Sequence, residues 1–169
     1  MSMLWDTLSA VGELVGAFAV VASLVYLAAL IRVQNKESKI ASMHEISIAH
    51  REAVAAICDG PMADIFAKAM KDFDSLSSAD TLRIIGFVYR FFKIWEEAYF
   101  QYKANRLDFT IWDSMTRQYT AYLSMSPFKR IWELRSEYVA PEFRDYVNSR
   151  KPVDLILPNS ISNRGGSKG

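Results

Sequence analysis

The sequence predicts an all-α protein, with a single N-terminal transmembrane helix followed by a compact cytoplasmic bundle of about five to six helices. Three observations predict this fold class. Glycine and proline, which interrupt helices, number only 7 and 5 in 169 residues. Aromatic residues make up 13% of the chain and favour a packed core. One long apolar segment without a charge lies near the N-terminus.

Length and composition exclude several other classes of protein. A chain of 169 residues has the length of one ordinary domain, and 51% hydrophobic with 23% charged residues excludes a disordered chain. The 20 basic and 19 acidic residues give a formal net charge of +1, so no nucleic-acid partner is expected. The single cysteine, Cys58, excludes an intramolecular disulfide.

The apolar segment over residues 14–31 predicts a membrane span. Its 18 residues carry no charge and extend roughly 27 Å as a helix, about the thickness of a bilayer core. Residues 1–31 contain no lysine or arginine, whereas a signal peptide begins with a basic region. We therefore predict a transmembrane anchor over residues 1–32. Cleavage after small residues such as Ala29, and a buried helix of a soluble protein, are the two alternatives.

Basic residues on one side of the span predict its orientation. Arg32, Lys36 and Lys39 follow the apolar segment closely, and no basic residue precedes it. The positive-inside rule then leaves the N-terminus outside and the rest of the chain in the cytoplasm. We expect residues 33–150 to form the helical bundle and residues 151–169 to form a flexible tail.

Small residues recur along one face of the predicted span. They are separated by 3, 4, 3 and 4 positions, which is the spacing of a heptad: Ser9, Gly12, Gly16, Ala19 and Ser23. Such a stripe lets two helix backbones approach closely in lipid, and it predicts a homo-oligomer. The alternative is that these residues are simply common in membrane helices.

Glu13 lies next to this stripe, about one turn inside the outer end of the span. A carboxylate at that depth is costly unless it reaches the head groups, is paired or faces water. It therefore either extends to the membrane surface or has a function. The functional alternative is a homo-oligomeric ion channel in which a ring of Glu13 carboxylates lines the pore.

Hydrophobic periodicity and cap residues divide the remaining chain into helices. The first continues from the span to about residue 59, where Asp59-Gly60-Pro61 ends it. Ser78 with Asp80 is predicted to cap a long helix that follows. Further helices are expected at about residues 62–73, 79–105, 110–124, 126–138 and 141–149.

The helix predicted over residues 79–105 is apolar around most of its circumference. Over residues 83–102 the polar positions occupy an arc of only about 80°, which places this helix at the centre of the bundle. Glu96 lies outside that arc, between Phe92 and Phe100 and beside Tyr89. A buried carboxylate must be paired or protonated. Glu96 is thus either a proton-linked functional group or a core carboxylate held by a tyrosine, an arginine or His50.

No catalytic or metal-binding motif is present. His44 and His50 are six residues apart and lie about 120° apart around a helix, so the two cannot clamp one metal ion. Phosphate-binding glycine loops and paired thiols are absent from the sequence. We therefore predict a protein that is not an enzyme and has neither a metal nor a cofactor. An acid/base pair of Glu96 with His50 is the one enzymatic alternative.

Two groups of short motifs resemble an uncharacterised family of small bacterial inner-membrane proteins. The first is Tyr-Leu-Ala-Ala-Leu-Ile-Arg over residues 26–32, followed by Gln34-Asn35; the second is Trp95-Glu96, Ala98-Tyr99 and Gln101-Tyr102. The resemblance covers roughly residues 8–147. It implies a bacterial source, one N-terminal span and a helical cytoplasmic domain without assigned chemistry, and it singles out Glu96 rather than Glu97.

These patterns together predict a function class. We expect a single-pass, membrane-anchored helical protein that self-associates through its transmembrane helix and acts as an interaction or regulatory module. Its expected partners are the lipid bilayer and further copies of itself. The alternative is the ion channel lined by Glu13.

Overall fold

A computed structural model of the protein describes residues 2–58, 60–151 and 153, with side chains from residue 12 on. Throughout this part of the chain the regular structure is helical, which confirms the predicted all-α class. The six α-helices are α1 (Ser2–Ile57), α2 (Gly60–Lys71), α3 (Ser78–Lys103), α4 (Phe109–Tyr122), α5 (Ser126–Arg135) and α6 (Pro141–Asn148). Two short 3-10 turns, Phe73–Ser75 and Ser136–Tyr138, precede α3 and α6.

The N-cap of α3 is Ser77, and the prediction of Ser78 is wrong by one residue. The Ser77 hydroxyl accepts a hydrogen bond from the Asp80 backbone N–H at 3.1 Å and donates one to the Asp80 carboxylate at 2.8 Å. A cap side chain bonds the N–H three residues further on, and that spacing joins Ser77 to Asp80. Ser78 is already the first residue of the helix.

Asn105 ends α3 in a left-handed conformation with φ of 57°. Asparagine tolerates this region better than most residues with a Cβ atom. The N–H of Arg106 then bonds the carbonyl of Gln101 at 2.8 Å, and the N–H of Asn105 bonds that of Tyr102 at 2.9 Å. This Schellman pattern satisfies carbonyls at the end of the helix and turns the chain toward α4.

A cap residue and two prolines mark where the later helices begin, and α4 begins at Phe109, one residue before its predicted start. The Asp108 side chain caps α4 by accepting from the Thr110 N–H at 2.8 Å. Proline occupies the first turn of both α5 and α6. A backbone N–H at that position has no partner within the helix, so its absence in proline costs no hydrogen bond. The α-helical part of α5 ends at Arg135, three residues before the predicted end, because the chain tightens there into the 3-10 turn.

The chain divides into two compact units after Ala41, within α1. The first unit is the N-terminal part of α1. The second begins at Ser42 and is a bundle in which α2, α4 and α5 pack against α3. Of the predicted tail over residues 151–169, only Lys151 and Val153 are described, so that prediction lies outside the described residues.

Aromatic side chains of α3 fill the core of the bundle. Trp95 is fully buried, and its ring meets Tyr119 of α4 at 5.4 Å and Phe143 of α6 at 5.5 Å between centroids. Phe92 meets Phe128 of α5 at 5.9 Å. Edge-on and tilted ring pairs of this kind add to the apolar area that they bury. The central position predicted for α3 is therefore confirmed.

Phe100 departs from the predicted phase of α3, since its side chain is 40% exposed. It borders an open groove near the end of the helix, together with Gln101 and Arg106. Its ring makes an edge contact with Tyr99 at 5.2 Å between centroids. The surface groove leaves the other side of the ring open to solvent.

Candidate functional site

The apolar part of α1 has an exposed surface all round. By length and composition it is the one helix among the described residues that is suited to cross a membrane, with a mean hydropathy of 2.5 in its most apolar 18-residue stretch. None of that stretch is buried within the chain. The twelve large apolar side chains between Leu14 and Val33 are 40–72% exposed.

The described members of the small-residue stripe present an open backbone. A Cβ atom added at Gly12 or Gly16 would meet no atom within 4 Å outside the surrounding backbone of α1. The Ser23 hydroxyl donates to the Ala19 carbonyl at 2.8 Å, so it uses its proton within the helix. The side chain of Ser9 lies outside the described residues. Within one chain, then, nothing requires glycine at these two positions.

Glu13 is exposed in the single chain. Its carboxylate lies beside the two glycines on the surface of α1, as the helical spacing predicts. A role in lining a pore depends on an assembly of several chains, and it stays a prediction.

Glu96 is buried, with 6% of its surface exposed, as the phase of α3 predicts. One of its oxygens accepts a hydrogen bond from the Ala140 backbone N–H at 2.5 Å. The other oxygen is paired with the Lys93 ammonium, one turn earlier on α3. The carboxylate thus joins the central helix to the start of α6, where Ala140 makes no side-chain cap of its own.

Two tyrosines of α3 form hydrogen bonds to the chain on either side of Ala140. The Tyr89 hydroxyl donates to the Tyr138 carbonyl at 3.0 Å, and the Tyr99 hydroxyl donates to the Glu142 carboxylate at 3.2 Å. The Lys103 ammonium, which also bonds Glu142, lowers the pKa of that carboxyl group. Tyr89 and Tyr99 lie before and after Glu96 along α3. Together, these contacts indicate that Glu96 helps to hold α3 against the start of α6.

His50 lies on the part of α1 that belongs to the bundle, and its Nδ1 is 3.0 Å from the hydroxyl of Tyr119 on α4. Its ring stands edge-on to Phe91 of α3, with centroids 6.0 Å apart. Burial lowers the pKa of His50 and raises that of Tyr119, so both groups are neutral near pH 7. His50 is therefore a core histidine with a fixed partner.

The structure gives Glu96 and His50 different partners. Glu96 is held by Lys93 and Ala140, whereas His50 is held by Tyr119. The contact with Lys93 was predictable from the sequence, because a basic residue three positions before a carboxylate often pairs with it on a helix. The other two contacts were not predictable, since His50 and Tyr119 are 69 residues apart along the chain and Glu96 and Ala140 are 44 residues apart.

No group of three or more histidine, cysteine, aspartate or glutamate side chains is placed to hold a metal ion within residues 12–58 and 60–151. Cys58 is exposed near the end of α1, and its sulfur lies 3.7 Å from the Val54 carbonyl. No protein-family model, curated protein or solved structure matches the chain. The resemblance to a bacterial inner-membrane family therefore stays a prediction.

Proposed function

We propose that this protein is anchored in a membrane by the N-terminal part of α1 and acts there as a self-associating interaction module. The observation that carries the proposal is the exposed apolar surface of α1 between Leu14 and Val33. Each large apolar side chain moved out of water contributes roughly 1 kcal/mol or more. For twelve such side chains the sum is comparable to the whole stability of a typical domain.

The exposure of α1 also argues against the alternative of a buried helix in a soluble protein. A core helix with this composition would be covered by other helices of its own chain. The most apolar stretch of α1 is instead wholly uncovered, which favours lipid as its surrounding. In the proposed orientation the N-terminus is outside a bacterial inner membrane and the bundle from Ser42 on is in the cytoplasm. The basic residues that follow the apolar segment support that orientation.

Self-association is proposed to use the small-residue stripe of α1. Its backbone is open at Gly12 and Gly16, so a second helix has room to approach there. Association through α1 would bring several bundles together at the membrane surface. The module would then act by presenting these bundles to other proteins in numbers fixed by the oligomer.

Replacing Gly16 by leucine should weaken this association by about tenfold, because the new side chain separates the two helix backbones. An added Cβ atom meets no atom within 4 Å outside the surrounding backbone of α1, so we attribute the expected loss to contact between chains. The measurement is chemical cross-linking in lipid bilayers over a range of protein-to-lipid ratios.

The matched control is Ala17→Leu, which adds the same side chain about 120° around the helix from the mean direction of the stripe. It should leave the cross-linked fraction unchanged. An oligomer that survives Gly16→Leu, or a wild-type protein that is monomeric at every ratio, would remove the proposed interface. A count of five or more chains would instead direct attention to a pore lined by Glu13, since a dimer encloses none.

A further inference from the structure

A pocket of about 300 Å³ lies between the bundle part of α1 and α4, apart from the proposed membrane segment. Apolar side chains form part of its wall, namely Ile46 from α1 with Ile111 and Met115 from α4. His50 and Arg51 are among the polar residues that line the rest. Small-molecule sites combine an apolar wall with a few polar groups in this way, and this volume is at the small end of their range.

The contact with Tyr119 favours one tautomer of His50. Tyr119 is 1% exposed, and His50 Nδ1 is the hydrogen-bond partner that the structure gives its hydroxyl. A buried O–H that donates to nothing is costly, so the hydroxyl donates to Nδ1. A neutral imidazole has one protonated nitrogen, which must then be Nε2. His50 is one of the residues that line the pocket, and in this tautomer Nε2 is its N–H donor.

Arg51 is the one charged residue among the described residues that line this pocket. The one cation matches a group with a single negative charge, whose oxygens can accept from Arg51 and from neutral donors of the lining such as His50. A doubly charged phosphate would keep one charge uncompensated beside the apolar wall. The pocket is therefore suited to a carboxylate.

We propose that this pocket binds a small amphipathic carboxylate, with Arg51 and the Nε2–H of His50 on its oxygens and Ile46 and Ile111 against its apolar chain. The carboxylate comes either from a water-soluble acid or from a fatty acid of the membrane. The two sources share the same head-group chemistry, so the test uses one probe for each.

The test is nitrogen NMR of the full chain in lipid nanodiscs, with only its histidines labelled with ¹⁵N. The chain contains two histidines, and His44, which is exposed and does not line the pocket, is the internal control. Without ligand, His50 should show the tautomer protonated at Nε2. Added hexanoate or laurate should shift the His50 signals and leave those of His44 in place. A response to hexanoate indicates a soluble acid, and a response to laurate alone indicates a membrane acid.

Arg51→Gln should weaken the binding of the responding acid by about tenfold, because a charge-assisted hydrogen bond is lost. Arg83→Gln, which changes an exposed arginine outside the pocket, should leave the binding as it is. Hexanol and hexylammonium should have no effect on His50, since they lack the anionic head group. The proposal is overturned if neither acid shifts His50 or if hexanol acts as hexanoate does. Unchanged binding by Arg51→Gln, or a His50 protonated at Nδ1, would overturn it equally.

Discussion

Replacing Trp95 by alanine should lower the free energy of unfolding of the bundle by about 3–5 kcal/mol, the usual range for a buried tryptophan. Trp95 is fully buried and meets rings from both α4 and α6, so its loss leaves a cavity where three helices join. The measurement is urea unfolding of the detergent-solubilised full chain, followed by near-ultraviolet circular dichroism, which reports on the packed rings of the bundle.

Trp95→Phe should be far milder, with a loss below about 1.5 kcal/mol. Phenylalanine keeps most of the ring contacts, and it removes the indole N–H, which is buried without a hydrogen-bond partner among the described residues. Leu82→Ala, at a position 70% exposed on the same helix, is the control and should change stability by less than about 0.5 kcal/mol. A Trp95→Ala loss no larger than that of Leu82→Ala would contradict the central position of α3.

Replacing Glu96 by alanine should destabilise the bundle by about 1–3 kcal/mol, because the Ala140 N–H loses its acceptor. The Lys93 ammonium contributes little to this loss, since its side chain is 49% exposed and returns to water. The same unfolding experiment measures the change.

Two variants separate the parts of the Glu96 contact. Glu96→Gln keeps a carbonyl oxygen for the Ala140 N–H, so its loss of unfolding free energy should be less than half of the loss in Glu96→Ala. Glu97→Ala changes an exposed neighbour and should lose less than about 0.5 kcal/mol. Equal losses at Glu96 and Glu97 would contradict the helical phase of α3. A stable Glu96→Ala protein that loses a cellular phenotype would instead favour a functional carboxylate.

The burial of Glu96 was predictable, but most of its contacts were not. Burial follows from a period of 3.6 residues, which the apolar positions of α3 repeat over several turns. The contact with Ala140 depends instead on how α4 and α5 return the chain to α3. No spacing in the sequence encodes that path. The same reason separates His50 from Tyr119, whose pairing across helices no local pattern predicts.

The errors in the helix boundaries have local causes. Ser77 and Ser78 are adjacent residues of one type, and only the three-residue distance to Asp80 distinguishes the cap from the first helical residue.

Phe100 follows the apolar period of α3 but borders a surface groove that the period does not reveal. Periodicity predicts which side of a helix is apolar, whereas coverage at its ends depends on the neighbouring helices.

We propose that α1 holds the protein in a membrane with its bundle in the cytoplasm, and labelling of Cys58 tests this proposal directly. It is the single cysteine of the chain and is exposed in the structure. A membrane-impermeant maleimide should leave Cys58 unlabelled in intact bacterial spheroplasts and should label it once the membrane is permeabilised. In the control chain, which combines Ser2→Cys with Cys58→Ser, labelling should occur without permeabilisation, and both chains should stay with the membrane after carbonate extraction. Labelling of Cys58 in intact spheroplasts, or recovery of the protein in the soluble fraction, would contradict the claim.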